Sequence, residues 1–352
     1  MTEKIDLYSM TDTELEEYFV SLGEPRFRAK QVFPRLADGT PISEMTNLPK
    51  KLRERLASEV LDTLPRVEAK LVSKVDGTVK YLFRLHDGEC VESVFMRYKH
   101  GNTLCISSQV GCRMGCRFCA STIGGRVRDL LPSELLGQVI AASRDMGERV
   151  SNIVMMGIGE PLDNFDNVVK FLKLVNLPGG LNIGYRHISL STCGVVPGIY
   201  KLAEVDIPIT LSISLHAATD EKRSAIMPVN NKWKISELLE ACVAYYKRTG
   251  RRISFEYTLI NGKNDTPADA RELAKLLTDA FHGTGAPIHV NLIRVNEVKE
   301  TGFKQGTEES ANAFAALLEK CGVVATVRRR LGSDVNAACG QLRRAGAPKG
   351  DT

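Results

Sequence analysis

The 352-residue chain has 43% hydrophobic and 25% charged residues and a mild formal net charge of +5, proportions ordinary for a soluble globular protein. No run of about 18 apolar residues occurs, so no transmembrane helix is expected, and the polar start MTEKIDLYSMTDTELEEYF has no apolar signal-peptide core. The length fits one large α/β domain with a small accessory domain, and a cytoplasmic protein without membrane contact is expected.

Residues 1–65 read as a helical accessory domain. Leu15, Tyr18, Phe19 and Leu22 follow helical spacing up to a stop at Gly23. Val32, Phe33 and Leu36 make a second stripe, broken at Gly39-Thr40-Pro41, and Leu52, Leu56 and Val60 a third after Pro49. Arg26, Arg28, Lys30, Lys50, Lys51, Arg53 and Arg55 on these elements are either solvated faces or nucleic-acid contacts. Residues 66–100 change to β-like runs, VEAKLVSKV, TVKYLFRL and CVESVFMRY, separated by the turn signals Asp76-Gly77 and Asp87-Gly88. Glu92 lies in the last run.

From 101 to 332 strand-like runs (LCISSQV, NIVMMGI, HISLST, ITLSISL, ISFEYTLI, IHVNLI) alternate with helical stretches such as PSELLGQVIAASRDM and DARELAKLLTDAF. Six βα units predict an α/β fold, a partial (β/α)6 TIM-like barrel, with the helical domain and a short antiparallel β extension before it. Polar residues end successive strands. Gly159 and Glu160 follow the second, Ser191 ends the third, Ser214 and His216 the fourth, and Asn296 follows the sixth. Barrel enzymes build their sites on that face, although polar residues are also common at strand ends. His216 reads as a ligand-hydrogen-bonding group, with a general base or zinc ligand as the sharper alternative. Residues 333–352 form a C-terminal segment, and between Val323 and Gly350 six Lys/Arg face one acid. This is either a solvated tail or a phosphate-contacting surface.

An odd count of nine cysteines without a signal peptide argues against a disulfide framework and for metal or thiol chemistry. Cys112, Cys116 and Cys119 fall in GCRMGCRFCAS, where Gly111 and Gly115 let the loop curl round a metal centre. Structural zinc takes four protein ligands, and no fourth Cys or His is nearby. A [4Fe–4S] cluster on three cysteines leaves one iron open. A non-enzymatic zinc and RNA-binding module and a set of buried structural cysteines are the competing readings.

With Phe118 before its last cysteine, the loop resembles the cluster loop of the radical S-adenosylmethionine (SAM) superfamily. LCISSQVGCRMGCRFCAS, MGIGEPLDN, LSTCGVVP, SISLHA, HVNLIRVN and GSDVNAACGQLR resemble the RlmN/Cfr family of RNA adenine methyltransferases, over about Glu24 to Arg343. Ile158 stands where that family often has methionine, a volume-conserving change. The resemblance implies a cluster on Cys112, Cys116 and Cys119 whose open iron chelates SAM, with SAM contacts from Gly159, Glu160, Ser191, Ser214, Leu215, His216 and Asn296. It also implies two SAM per turnover and an electron donor such as flavodoxin or ferredoxin.

Adenine C2 is no nucleophile toward an electrophilic methyl group, so a protein thiolate is a natural first acceptor. Cys339, among small neighbours in Asn336-Ala337-Ala338-Cys339-Gly340, is open to that role. The resemblance implies that one SAM methylates Cys339 and a second supplies the radical that joins the methylene carbon to adenine. Cys105 then resolves the adduct and ends in a disulfide with Cys339, and Glu92 acts as proton acceptor. On the residues alone, Cys105 reads as a core cysteine on a buried strand, and the alternative for Glu92 is an exposed strand carboxylate; Cys90, Cys193, Cys242 and Cys321 read as structural.

The implied substrates are 23S rRNA, at C2 of an adenine of the peptidyl-transferase centre, and some tRNAs, at C2 of the adenine 3′ of the anticodon. Methylation at C8, as in the sister branch, is the alternative; GEPRFRAKQVF, CASTIGG and MGIGEPLDN favour C2. A base extruded from partly single-stranded RNA is expected, with phosphate contacts from Arg126, Arg128, Arg328, Arg329, Arg330, Arg343 and Arg344. A monomer is expected.

Overall fold

The computed structural model describes residues 4–298 and 300–335. Cys339, Arg343 and Arg344 lie outside the described residues.

Helix α1 (Asp12–Ser21) opens on a capping box, in which Thr11 Oγ1 accepts from the Glu14 N–H and the Glu14 carboxylate accepts from the Thr11 N–H. With α2 (Phe27–Ala37) and α3 (Lys50–Glu59) it buries Leu15, Phe19, Val32, Leu36, Leu52 and Leu56 in a core of its own. This unit docks on the rest of the chain through Asp6, which accepts from Ser133 Oγ at 2.7 Å, and through a Glu14–Lys170 ion pair.

Strands β1 (Arg66–Val72), β2 (Val79–Arg84), β3 (Cys90–Tyr98) and β4 (Gly101–Cys105) form an antiparallel meander. A separate hairpin follows, β5 (Gln109–Gly111) with β6 (Arg126–Asp129). From β4 the main sheet continues in parallel through β7 (Asn152–Met155), β8 (Ile188–Thr192), β9 (Thr210–Ser214), β10 (Ile253–Leu259), β11 (Ile288–Arg294) and β12 (Val324–Val327). Among the described residues this makes one ten-stranded sheet, so the β extension is hydrogen-bonded directly to the barrel. The connecting helices are α4 (Pro132–Met146), α5 (Phe165–Asn176), α6 (Val196–Glu204), α7 (Asp220–Ile226), α8 (Ile235–Thr249), α9 (Pro267–Ala280) and α10 (Glu308–Lys320).

Two expectations change in detail. The run LCISSQV is not one strand: Ile106 still donates to Val154 O, but the N–H groups of Ser108 and Gln109 turn to Ile158 O and start the hairpin. Strand β12 adds a seventh parallel strand to the expected six, among the described residues. It was hidden because only Ala325 of its four residues is buried, beside an arginine run that reads as tail.

Alternation along the parallel strands sorts the two faces of the sheet. Leu190, Leu211, Ile213, Phe255, Val290 and Leu292 join the core beneath the helices. The opposite positions carry polar groups that face the lumen and bond to one another between neighbouring strands. Ser189 and Ser212 hydroxyls lie 3.0 Å apart, Ser254 Oγ is 3.2 Å from His289 Nδ1, and Asn291 donates to Glu256 at 2.7 Å. Apolar layers fill the interior of a closed barrel; here polar side chains line it and leave room for ligands.

After β12, residues 328–335 form a strap across the open side of the sheet. Arg328 N–H donates to Leu292 O at 2.8 Å, and Gly332 N–H donates to Asp76 Oδ2 at 2.8 Å. Asp334 accepts from Ser73 Oγ at 2.7 Å and from the Lys74 N–H at 2.9 Å. The last strand is thereby tied to the β1–β2 turn.

Candidate active site

A cavity of about 520 Å³ opens at the C-terminal ends of the parallel strands, and Cys112, Cys116 and Cys119 all line it. They belong to the loop joining β5 to β6. Gly111 (φ +78°) and Gly115 (φ +73°) take left-handed backbone that curls the loop. Cys112 N–H donates to Gly125 O at 3.0 Å, and Arg117 N–H donates to Ile226 O at 2.9 Å. Met114, Cys116 and Phe118 pack on Ile226, Met227 and Val229, which seats the loop on the end of α7.

Among the described residues no group of three or more His, Cys, Asp or Glu is placed to hold a metal ion. A cluster whose thiolates each bind a different iron asks for a wider triangle than a single ion does. Three soft sulfur donors around one cavity are a donor set for iron–sulfur chemistry, and in that respect the residues fit the cluster. Burial, with the neighbouring Cys119, Glu160 and Asp163 charges, pushes the Cys112 thiol up to about 12, against a hydrogen bond from Met114 N–H. Burial and the adjacent cysteines push Cys116 up as well.

The expected SAM contacts gather on the same cavity. Gly159 has φ +107°, and a Cβ there would lie 2.7 Å from Gln109 N, Gln109 Cβ and Ser108 Oγ, so no side chain fits. Glu160 is buried; its two oxygens accept from Leu162 N–H at 3.0 Å and Cys193 N–H at 2.7 Å. Burial raises its carboxyl despite those bonds. Ser191 and Ser214 hydroxyls stand 3.5 Å apart, and Asn296 sits on the exposed rim. His216 is buried with φ +58°, a left-handed conformation that costs a non-glycine residue about 1–3 kcal/mol. It is held by Asn264, which donates to its carbonyl at 2.7 Å, and by Phe118, edge-on at 5.0 Å.

Leu215 is the exception. Its side chain is in the core behind the sheet, its N–H goes to Glu256 O and its carbonyl accepts from Arg223 Nε, so it does not line the cavity.

Cys105 is buried on the cavity wall, paired with Val94 across β3–β4 and packed with Met96 and Leu331 of the strap. Glu92 is not an exposed strand carboxylate. It is buried and forms an ion pair with the buried Lys80, Nζ to Oε2 3.1 Å. It shares a face of β3 with Val94 and Met96 but is not itself among the cavity's lining residues.

The family model described as "Radical SAM superfamily" matches residues 106–277, and that described as "Ribosomal RNA large subunit methyltransferase N-terminal domain" matches residues 5–61. The chain is 53% identical to the probable dual-specificity RNA methyltransferase RlmN of Alkaliphilus oremlandii, over 97% of this chain and 98% of that protein. It is 52% identical to its Clostridium botulinum counterpart, over 96% of each chain. This chain belongs to the RlmN family. It is similar, too, to the crystal structure of a radical SAM methyltransferase from Sphaerobacter thermophilus, with TM-score 0.90 and 41% identity, covering 96% of this chain and 98% of that one.

Membership in the RlmN family makes the chain a radical SAM RNA methyltransferase and sets aside the non-enzymatic zinc module. The radical SAM family implies both a [4Fe–4S] cluster and SAM as cofactors. No helix among the described residues is long and apolar enough to cross a membrane.

Several residues of this RlmN-family site escaped the sequence reading. Arg223 is fully buried and donates to Cys193 O (2.6 Å), Leu215 O (3.1 Å), Ser214 O (3.2 Å) and Asn230 Oδ1 (3.0 Å). It staples α7, which carries the cysteine loop, to the ends of β8 and β9. Cys193, read as structural, lines the cavity, as does the buried Glu256. Arg223 sits in the charged stretch ATDEKRSA, where nothing separates it from a solvated residue.

The phosphate contacts divide. Arg128 is taken up by Glu134 at 2.7 Å and Asp87 at 2.6 Å, and the exposed Arg126 pairs with Asp129 at 2.7 Å, so both expected phosphate contacts already have carboxylate partners. Arg328, Arg329 and Arg330 line the cavity. In the N-terminal domain Arg55 pairs with Glu59 along α3, as solvated faces do, and Arg28 of α2 pairs with Glu24 just before that helix.

Proposed function

We propose that the enzyme methylates C2 of an adenine in the peptidyl-transferase centre of 23S rRNA and C2 of the adenine 3′ of the anticodon in some tRNAs. It would work as a cytoplasmic monomer, with a small redox protein such as flavodoxin or ferredoxin as electron donor. The observation that carries the reading is that Cys105 and the three-cysteine loop line one cavity beside the anchored strap. Described chain ends at Val335, four residues before Cys339, a reach of at most about 14 Å from Val335.

Cys112, Cys116 and Cys119 would hold the cluster, and Gly159, Glu160, Ser191, Ser214, His216 and Asn296 the SAM. When bound, cluster and SAM supply a 5′-deoxyadenosyl radical that abstracts hydrogen, with a further SAM as methyl donor. Gly159 lets the SAM backbone contacts approach closely, and the doubly bonded Glu160 carboxylate keeps lone pairs for an ammonium.

Cys339 thiolate takes the methyl group and carries its carbon to adenine C2. Glu92, buried beside Lys80 on the β3 face shared with Val94, accepts the C2 proton. Cys105 thiolate then attacks the sulfur of Cys339. The S–S bond would form as the carbon–sulfur bond breaks, the released carbon would take up a proton to become the methyl group, and the one electron left over from the radical addition would pass to a one-electron acceptor, a role open to the cluster when bound.

The test is mass-spectrometric mapping of the methylated nucleoside in a 23S rRNA fragment treated with enzyme, SAM and reductant. 2-Methyladenosine supports the assignment; a methyl group on C8 alone overturns it.

A further inference from the structure

The lumen has a second opening. At the N-terminal ends of β4, β7, β8 and β9, on the far side from the strand ends that carry the candidate site, lies a cavity of about 300 Å³. Its walls include Tyr98, His100, Arg186, His187 and Arg328, and among the described residues lining it there is no carboxylate. Met96, Tyr98 and Arg328 line both cavities, so the two form a continuous groove along the open side of the sheet.

The chemistry of this lower opening is specific. Tyr98 and His100 rings are stacked, centroids 5.1 Å apart and planes 15° from parallel, with His100 exposed. Such a pair offers a flat π surface of the kind on which unpaired bases stack. Across the opening stand Arg186 and Arg328. Arg84, Arg97, Arg113, Arg126 and Arg128 are each held by a carboxylate. Arg186 and Arg328, in contrast, make no salt bridge among the described residues, and Arg328 Nη1 reaches only the sulfur of Met156 at 3.8 Å, a weak acceptor. Arg328 does feel the buried Glu256 carboxylate of the upper cavity, but with no ion pair formed both guanidiniums keep donors free, and beside a stacking platform they match a nucleotide, base and phosphate together.

Resting on the reading of RNA as substrate, we propose that Tyr98, His100, Arg186 and Arg328 form a subsite for a nucleotide adjoining the target adenine, its base on the Tyr98–His100 pair and its phosphate on Arg186 and Arg328. The groove leads the strand from this subsite to the upper cavity, where the target base enters. Arg328, at the root of the strap, touches both.

The test uses the anaerobically reconstituted full chain and a 23S rRNA hairpin carrying the target adenine, with affinity read by fluorescence anisotropy across a salt series. Arg186→Ala is expected to weaken binding about five-fold or more and to lower the salt slope by about one. His100→Ala is expected to weaken it at least about five-fold with the slope unchanged. An abasic nucleotide beside the target should weaken wild-type binding but cost the His100→Ala variant little more, the non-additivity of a shared contact. Iron content and RNA-independent SAM cleavage are expected to stay at wild-type levels, which separates a lost subsite from a misfolded chain. Wild-type affinity and slope in both variants would overturn the subsite while leaving RNA as the substrate; failure of the wild-type enzyme to bind or methylate the hairpin would instead overturn the reading on which it rests.

Discussion

The backbone N–H of Thr258 donates to Nδ1 of His216 at 2.9 Å. A neutral imidazole that accepts at Nδ1 carries its proton on Nε2, so His216 offers the cavity a donor. Burial, with the Arg223 charge behind it, lowers its pKa from 6.5 to about 3. His216 is therefore expected to stay neutral from pH 5 to 9, and nitrogen NMR of labelled protein should show a single Nε2–H tautomer that does not titrate there. Because the unfolded imidazole takes up a proton that the folded one refuses, stability is complete above about pH 6.5 and falls as pH drops toward 3, by at most about 1.4 kcal/mol per unit. His216→Ala should weaken SAM binding about ten-fold by calorimetry. A titration near pH 6.5 would show the imidazole to be solvated.

The strap should let go in acid. Burial would raise the Asp76 carboxyl, but N–H donors from Gly332 and Thr78 and the Thr78 and Ser73 hydroxyls outweigh it and hold it at about 2. Bonds from Ser73 and the Lys74 N–H lower Asp334. Carboxyls depressed on folding stabilise above their unfolded value near 3.8, and the anchor is lost as pH falls from about 4 toward 2. Hydrogen exchange of the Gly332 amide should accelerate across that range. At neutral pH, Asp76→Asn with Asp334→Asn should raise exchange and lower methylation several-fold with iron content unchanged; unchanged exchange would mean the strap is held elsewhere.

Arg223→Met should cost on the order of 3 kcal/mol or more, since it strands buried carbonyls of Cys193, Ser214 and Leu215, each worth about 1–3 kcal/mol when left unpaired. Denaturant unfolding of the anaerobic protein reads this directly, and a midpoint equal to wild type would contradict the staple.

The roles proposed for Cys339 and Cys105 separate by product. Cys339→Ala is expected to abolish methyl transfer while cluster content and RNA affinity remain. Cys105→Ala is expected to trap RNA covalently on the protein, visible as a shifted band on a denaturing gel. Methylated RNA released by Cys105→Ala would refute the resolving role.

Much of this was legible because the relevant signals are local. The cysteine spacing, the strand-end residues Gly159, Glu160, Ser191, Ser214 and His216, and the β–α alternation each lie within a few residues of chain. What sequence missed depends on distant partners. Arg128 looks like a phosphate contact until Glu134 and Asp87 close on it. Glu92 looks like an exposed carboxylate until Lys80 is found buried beside it on β2. Leu215 borrowed its expected role from its neighbours, but alternation turned its side chain to the core.

The proposed chemistry stands on Cys112, Cys116 and Cys119 holding an iron–sulfur cluster that is the radical source for RNA methylation. Iron, sulfide and the visible spectrum of protein purified without oxygen test it most directly. About four irons and four sulfides per chain are expected, with broad absorption at about 400 nm. Stoichiometric zinc without sulfide, after strictly anaerobic work, would contradict it.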